Sequence, residues 1–287
     1  MTTAKAITYE TFHDGQRHWR CRTDALAWFE PSLFDSGHLV AGSTLTGKAT
    51  AGRGSASFIA SADGPLVLRN YRRGGMVRYL VGRRYVHTGL ERSRAFREFG
   101  LLLVLEALGL PVSTAVATEV RRYGCFNEAS LITRRLPGAT LAEYMLASSQ
   151  RGLVRSSQSE VHDCLDDKAL WQGVGRLVAR FHRHGVCHAD LNTHNIMLDP
   201  DTRLPDGLGH DIPSIALIDF DRGSLRGSTD IEDWPDKAPA WAARNLARLE
   251  RSVRKVLGAT DLSDDVGERV VAWLRRGWAC VDEPARR

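Results

Sequence analysis

Two short segments in the second half of the chain carry the residue types that phosphoryl transfer needs. Residues 188–195 read His-Ala-Asp-Leu-Asn-Thr-His-Asn, and the apolar run 215–218 is followed by Asp-Phe-Asp. In such a reaction one carboxylate orients the attacking hydroxyl and accepts its proton, while an amide and a second carboxylate hold Mg²⁺ against the nucleotide phosphates. The spacing therefore predicts Asp190 as the general base and Asn195 and Asp219 as the metal ligands.

Each of these residues has an ordinary structural explanation when it is taken alone. An Asp that follows a helix usually caps the helix or forms a turn, and Asp-Phe at a strand end often occurs by chance. Here the residues occur in a fixed order, after an amphipathic helix and around two short apolar strands. That combination favours a kinase-like site over coincidence.

A cluster of His and Cys residues just before this loop could also be interpreted as a metal site. His182 and His184 are two positions apart on a predicted helix, so they point to different faces, and no second cluster completes a zinc site. We expect both to be cations favoured by the dipole at the C-terminus of the helix. We expect His188 to support the catalytic loop.

A kinase-like site also needs a glycine-rich turn whose backbone N–H groups cover the phosphates. Gly52, Arg53, Gly54 and Ser55 lie at the expected place between two predicted strands. A Gly-x-Gly turn alone is weak support, because most such turns are simple hairpins. The turn is therefore a candidate for nucleotide binding.

The same kind of site needs a cation on the next strand and a helix carboxylate that fixes it. Lys does not occur between residues 49 and 167, so Arg69 is the candidate cation, with Lys48 as a fallback. The ordinary explanation of Arg69 is a surface charge at a strand edge. Glu98, on the helix predicted over residues 92–108, is the candidate partner, and we expect the two to form an ion pair beside the phosphates of ATP.

The elements that position these residues indicate an α+β protein with two lobes. The first half reads as strands and one helix, and the second half is mainly helical. We expect an N-lobe over residues 1–136 and a C-lobe over 137–287, with a hinge at Pro137-Gly138. The expected elements are a hairpin over 56–60 and 66–69, strands over 112–118 and 129–133, helices over 141–146, 170–181, 240–257 and 266–278, a polar connection over 148–167, and a loop over 199–213.

Composition excludes several classes of protein. The chain has 287 residues, of which 43% are hydrophobic and 25% charged, so wholesale disorder and fibrous structure are excluded. The longest aliphatic run, 101–105, is too short to span a bilayer, and the N-terminus lacks the apolar stretch of a signal peptide. Five scattered Cys residues indicate reduced thiols in a cytosol rather than a disulfide framework.

The net charge of +5 comes mostly from Arg. Nine Arg residues lie in the segment from Arg69 to Arg97, where Glu91 is the only acid. Such a cluster suits a phosphate-bearing partner, which could be a nucleotide, an anionic lipid surface or a nucleic acid.

Several longer motifs are similar to one family of kinases. The most specific are Leu68-Arg69-Asn70-Tyr71-Arg72-Arg73-Gly74-Gly75 and Asp219-Phe220-Asp221-Arg222-Gly223. With these, the chain resembles the 3-deoxy-D-manno-octulosonic acid (Kdo) kinases of the lipopolysaccharide kinase family over nearly its whole length. Asp221 stands where ordinary kinases have Gly, as it does in that family, and its role could be a second metal contact or a partner of Arg222.

The resemblance implies a protein-kinase-like fold and a defined reaction. It implies transfer of phosphate from ATP, with Mg²⁺, to the 4-hydroxyl of a Kdo residue on lipid A precursor during synthesis of the lipopolysaccharide inner core. The implied partners are this Kdo-bearing lipid and the anionic surface of the inner membrane, which the protein would meet peripherally from the cytoplasmic side. No nucleic acid is implied, and the oligomeric state is left open. Arg side chains would bind the carboxylate and phosphates of the acceptor.

Three other functions remain open from the sequence. One is a different small-molecule kinase on the same fold, acting on a heptose or an aminoglycoside. Another is a nucleotide-binding scaffold without activity, although Asp190, Asn195 and Asp219 are all present. The third is a basic nucleic-acid binder, which is less favoured because aromatic residues are not interleaved with the Arg cluster in a stacking pattern.

Overall fold

The chain forms two compact units, Met1–Leu136 and Pro137–Arg287. The first unit is built on an antiparallel sheet and the second mainly on helices, so the α+β class predicted from the sequence is confirmed. The computed structural model describes residues 7–35, 44–48, 55–71, 85–86, 89–124, 126–152, 164–205, 211–260 and 264–280.

The described part of the first unit contains one antiparallel sheet. Its strands are β1 (Tyr9–Asp14), β2 (Arg17–Arg22), β3 (Thr44–Lys48), β4 (Ser55–Ser61), β5 (Gly64–Asn70), β6 (Tyr85–Val86), β7 (Ala115–Tyr123) and β8 (Phe126–Arg134). The strand order is β1-β2-β7-β8-β5-β4-β3, and β6 pairs with β8. The predicted hairpin over residues 56–69 is confirmed as β4 and β5. Arg69 pairs with Ala56 on one side and Leu131 on the other, so it does not lie on a sheet edge.

One helix, α1 (Arg94–Ala107), packs on this sheet. It begins at Ser93, whose hydroxyl accepts a hydrogen bond from the Phe96 N–H, and it ends before Gly109, which has a φ of 68°. Only glycine adopts that conformation readily, which explains the stop. The helix predicted over residues 92–108 is therefore confirmed, and it buries Glu98 together with its apolar face.

The second unit holds five short or medium strands and four helices among its described residues. They are β9 (Ala139–Thr140), α2 (Leu141–Gly152), α3 (Lys168–Arg183), β10 (Val186–Cys187), β11 (Ile196–Pro205), β12 (Asp211–Leu217), β13 (Ser224–Leu225), α4 (Ala240–Leu257) and α5 (Asp264–Ala279). Strands β12, β11 and β9 form one sheet, and β10 pairs with β13. Among the described residues, no helix combines the length and apolar composition needed to span a bilayer.

Two segments expected to be irregular are partly regular. The predicted start of the polar connection at residue 148 was wrong. Helix α2 continues to Gly152, and Ser148 and Ser149 are buried within it. Both hydroxyls are satisfied: Ser149 donates to the Leu146 carbonyl, and Ser148 accepts from the Cys164 N–H. A polar helix face can therefore be buried here without an unpaired group.

The loop expected over residues 199–213 is also shorter than predicted. Strands β11 and β12 continue to pair beyond a bulge between Asp199 and Arg203, as far as Pro205 opposite Asp211. The Arg203 guanidinium donates to the Asp211 carbonyl at 2.8 Å. The cross-strand ladder thus overrides the turn preference of the Pro and Asp residues in this segment.

Helices α3 and α5 approach each other closely at two glycines. A Cβ atom at Gly277 would lie 2.0 Å from the carbonyl oxygen of Gln172, and one at Gly175 would lie 2.2 Å from that of Leu274. Both obstacles are backbone atoms, which cannot move without separating the helices. This contact also affects the predicted catalytic loop, because α3 leads into that loop.

Gly277→Ala should therefore destabilise the second unit. We expect the free energy of unfolding to fall by about 1–3 kcal/mol, the usual cost of forcing extra volume into a packed interface. Gly267→Ala in the same helix is the matched control, because its Cβ would meet only Leu257 Cδ1 at 3.8 Å. Urea unfolding of both variants checks this, and equal losses in the two would contradict the close helix approach.

Candidate active site

The predicted catalytic loop lies between β10 and β11 and is fixed by its own hydrogen bonds. Residues Thr193–Asn195 form a 3₁₀ turn, which Asn192 caps by accepting from the His194 N–H at 2.9 Å. The buried Asn195 side chain donates through Nδ2 to the backbone carbonyl of Asp190 at 2.8 Å. The structure thus brings Asp190 and Asn195 together.

Asp219 follows β12 at the adjoining strand end. The Ile218 N–H donates to the Asn195 carbonyl at 3.0 Å, which brings the backbone of Asn195 next to that of the residue before Asp219. Asp219 has a φ of 62°, a left-handed conformation that costs about 1–2 kcal/mol in most L residues and that Asp tolerates better than most. Its Oδ1 accepts from the Asp221 N–H at 3.3 Å. Strain of this kind is typical of functional positions.

His188 joins the two segments. Its Nε2 donates to the Ile218 carbonyl at 2.9 Å, while its Nδ1 accepts from the Asp190 N–H at 3.2 Å. The ring is buried and lies 4.7 Å from the ring of Phe220. Burial lowers the pKa of His188 below the ordinary value, so the neutral form that this bonding pattern requires is favoured. The expectation that His188 supports the loop is confirmed.

Helix α4 holds the catalytic loop from another side. Asn245 donates to the His188 carbonyl at 2.7 Å, and Ser252 accepts from the Thr193 N–H at 3.1 Å. Between them, Arg248 donates through Nη2 to Asp190 Oδ1 at 2.7 Å. No role for these three α4 residues was predicted from the sequence. Their spacing of three and then four positions places them on one helical face, and this is the signal that could have found them.

A chain of buried hydrogen bonds continues from Asn245 into the helices. His182 Nε2 donates to Asn245 Oδ1 at 3.0 Å, and His182 Nδ1 accepts from the Trp278 indole N–H at 3.0 Å. The ring packs edge-on against Trp241 and Trp278. The expectation that His182 is a helix-terminal cation was wrong, because burial lowers its pKa from 6.5 to about 4. Tertiary burial outweighs the local attraction of the helix dipole here.

This buried histidine should make stability depend on pH. His182 stays neutral in the folded chain down to about pH 4, whereas in the unfolded chain it takes up a proton as pH falls through 6.5. Its contribution is therefore complete above pH 6.5 and is lost between pH 6.5 and about 4. We expect the stability difference between the wild type and His182→Gln to narrow by about 3 kcal/mol over that range.

Urea unfolding of both proteins at several pH values measures this difference. His188 titrates in both proteins, so its contribution cancels. Gly267→Ala introduces no titratable group, and its difference from the wild type should not change with pH. A wild-type minus His182→Gln difference that is the same at pH 4 and pH 7 would show that His182 is not kept neutral by the fold.

In the first unit, the two residues predicted to pair do form an ion pair. Arg69 Nη2 donates to Glu98 Oε2, and the Tyr71 hydroxyl donates to the same oxygen at 2.6 Å. The Arg69 guanidinium also lies 4.8 Å from the centre of the Tyr71 ring. Glu98 is 3% exposed, so the pair is rigidly held. Its role towards a nucleotide stays a prediction.

The predicted glycine-rich turn falls mostly outside the described residues. Gly52, Arg53 and Gly54 lie outside them, and Ser55 is described only as the first residue of β4. The fallback cation Lys48 is the last residue of β3. Phosphate binding by this segment therefore also stays a prediction.

The donor set at the loop fits a magnesium ion. Among the described residues, no group of three or more His, Cys, Asp or Glu side chains forms a site for a metal ion. Magnesium is usually held by one or two carboxylates together with substrate phosphates and water, rather than by a complete protein cage. The Asp219 carboxylate and the Asn195 amide oxygen are hard oxygen donors of that kind.

Comparison with known proteins decides the family. A family model described as lipopolysaccharide kinase (Kdo/WaaP) family matches residues 46–274, a range that includes every described residue of the site. The chain belongs to this family. As a member of a kinase family it is a phosphotransferase that uses ATP.

Curated members of this lipopolysaccharide kinase family are similar over most of their length. The 3-deoxy-D-manno-octulosonic acid kinase of Xylella fastidiosa strain M12 is 40% identical over 79% of this chain and 76% of its own. The enzyme of the same name from Stenotrophomonas maltophilia strain K279a is 38% identical, with the same shares covered. A solved structure of WaaP in complex with acyl carrier protein is similar at a TM-score of 0.49 and 20% identity, covering 82% of this chain and 78% of that one.

Proposed function

We propose that this kinase transfers a phosphoryl group from ATP to the 4-hydroxyl of a Kdo residue on Kdo-lipid A precursor, in synthesis of the lipopolysaccharide inner core. The observation that carries the proposal is the hydrogen-bonded arrangement of Asp190, Asn195 and the strand end at Asp219. It occurs in a chain that is 38–40% identical to Kdo kinases over most of its length. The acceptor hydroxyl and its lipid context come from the resemblance to those enzymes.

Within the second unit, each of the three residues has a separate role in the proposal. Asp190 orients the acceptor hydroxyl and accepts its proton. Asn195 and Asp219 hold Mg²⁺, which supplies positive charge that neutralises the phosphates of ATP. His188 and Asn245 keep the loop in place by fixing the peptides on either side of the site.

Within the first unit, Arg69 is the proposed phosphate cation. Glu98 and Tyr71 fix its guanidinium, so little side-chain entropy is lost when it binds an anion. The turn predicted at Gly52, Arg53, Gly54 and Ser55 is proposed to cover the phosphates with its backbone N–H groups.

The proposed partners are the Kdo-bearing lipid A precursor and the anionic surface of the inner membrane. The net charge of +5 supports attraction to such a surface, which is worth about 1 kcal/mol for each basic residue near it. In this proposal the kinase acts peripherally at the cytoplasmic side of the inner membrane.

A single reaction tests the proposal. Purified kinase is incubated with labelled ATP, Mg²⁺ and Kdo-lipid A precursor, and the product is analysed by mass and by NMR assignment of the phosphorylated carbon. We expect one phosphate per acceptor, on carbon 4 of Kdo. Heptose and aminoglycoside acceptors run in parallel, and transfer to either of them without transfer to the Kdo lipid would overturn the assignment.

A further inference from the structure

One face of α4 is basic and exposed along most of its length. It consists of Arg244, Arg248, Arg251 and Lys255, which we call the α4 basic face, and all four are exposed. The spacings of four, three and four residues align them in one row, about 16 Å long at 1.5 Å per residue. The row lies on the polar side of an amphipathic helix and carries charge of one sign only.

Most of this positive charge has no ion-pair partner in the part of the chain that the structure describes. Among the described residues, Arg244, Arg251 and Lys255 form no ion pair. On a neighbouring face of the same helix, Arg254 is paired with Glu268 at 2.8 Å. Thus Arg254, which faces α5, is paired, whereas the α4 basic face remains available to an external anion.

The α4 basic face borders the proposed catalytic base. Arg248 donates to Asp190 Oδ1, and the adjoining face of α4 holds the catalytic loop through Asn245 and Ser252. Both partners of the Arg248–Asp190 pair remain about half exposed, at 49% and 57% of their side-chain surface. An anion that reaches Arg248 is therefore already next to the group proposed to receive the proton.

The chemistry of the proposed acceptor matches this surface. An octulosonic acid carries its carboxylate on carbon 1, attached to the ring that also carries the 4-hydroxyl. A guanidinium has five N–H donors, so Arg248 can keep one bond to Asp190 and offer another edge to a carboxylate. It would also offset the repulsion between Asp190 and an acceptor carboxylate placed beside it.

We propose that the α4 basic face is the acceptor-binding surface of this kinase. Arg248 binds the carboxylate of the sugar that is phosphorylated, and Arg244, Arg251 and Lys255 bind the phosphates of its lipid A part. The inference rests on the proposed function, which it deepens by naming acceptor-binding residues. Arg248 is then a substrate-binding residue that sets the acceptor hydroxyl against Asp190.

The carboxylate contact is tested with two acceptors, the Kdo lipid and its carboxyl methyl ester. We expect the wild type to favour the acid over the ester in kcat/KM by about 10- to 100-fold, the value of a charge-assisted bidentate contact. Arg248→Gln should abolish most of this preference, whatever its effect on turnover through Asp190. Arg248→Lys, which keeps the charge but loses the planar fork, should retain only part of it.

The phosphate contacts are tested with the lipid acceptor and a short Kdo saccharide that lacks the lipid phosphates. Replacing Arg244, Arg251 and Lys255 together with Gln should raise the ratio of lipid KM to saccharide KM by about tenfold, the sum expected of three exposed ion pairs. Arg276→Gln is the matched control, because Arg276 is an exposed basic residue of a different helix, α5. It should leave the ratio unchanged.

Different results refute different claims. If the wild type does not phosphorylate the Kdo lipid, the proposed function is refuted and this inference with it. If the wild type is active but Arg248→Gln keeps the full acid preference, only the acceptor surface is refuted. If the triple variant loses binding to acceptor-free anionic vesicles and keeps its KM ratio, the bilayer occupies this face and the proposal is wrong.

Discussion

Asp190→Ala is expected to lower turnover by about 10²- to 10⁴-fold, the usual contribution of a general base. ATP binding should change far less, because the proposed metal ligands Asn195 and Asp219 are preserved. Asn195 bonds to the backbone carbonyl of residue 190, and that carbonyl is still present in the variant. The Asp190 side chain is 57% exposed, so its removal leaves no cavity in the core.

The measurement combines steady-state turnover with titration of the nucleotide. Asp236→Ala is a matched control, since Asp236 is an exposed Asp of the second unit without a described role. We expect the control to match the wild type in both measurements. Near-normal turnover of Asp190→Ala would remove the assignment of Asp190 as the base.

The arrangement of the candidate catalytic loop could be predicted from the sequence because its geometry is local. Asp190, Asn195 and Asp219 lie within thirty residues, and short-range hydrogen bonds and one strand pair fix their arrangement. Predicting the Arg69–Glu98 pair required only the positions of one strand and one helix. The absence of Lys between residues 49 and 167 left Arg69 as the candidate cation on that strand. Patterns of this kind can be recognised in a sequence without knowledge of the tertiary structure.

The supporting residues could not be predicted in the same way. Asn245, Arg248 and Ser252 reach the loop from more than fifty residues away, and nothing local to the loop requires them. His182 was misinterpreted because the dipole rule is local, whereas burial between Trp241 and Trp278 is a property of the packed helices. Burial decides the charge of a group more strongly than its place in a helix.

The predicted lengths of β11 and β12 were wrong for a related reason, which is again a tertiary contact. The turn preferences of the Pro, Gly and Asp residues in 199–213 predicted a loop, but β11 and β12 pair over much of this segment. Ile212 provides a reason, because it packs where a Cβ at Gly173 of α3 would lie. A tertiary contact of this type stabilises the hairpin although its sequence alone favours a turn.

Asp219→Asn is expected to remove most of the benefit of Mg²⁺. The substitution deletes one negative charge at the proposed metal ligand and preserves the backbone, because Asn tolerates the left-handed φ of 62° almost as well as Asp does. An Asn oxygen can still accept from the Asp221 N–H. We expect turnover to fall by about 10³-fold, equivalent to the several kcal/mol that a catalytic metal supplies.

The direct readout is ATP binding by calorimetry with and without Mg²⁺. The wild type should bind ATP more tightly in the presence of the metal, and Asp219→Asn should lose that gain. Asp211→Asn, at the other end of the same strand and exposed, is the matched control. An Asp219→Asn variant that retains the full gain from Mg²⁺ would place the metal elsewhere.

The Asp190 and Asp219 variants together separate the two proposed roles. Loss of the base should slow turnover at every Mg²⁺ concentration, because no added metal replaces the proton acceptor. Loss of the metal ligand should instead raise the Mg²⁺ concentration needed for half-maximal turnover, because a weakened site can be refilled by mass action. The same metal dependence in both variants would show that Asp190 and Asp219 do not have the separate roles of base and metal ligand that are proposed for them.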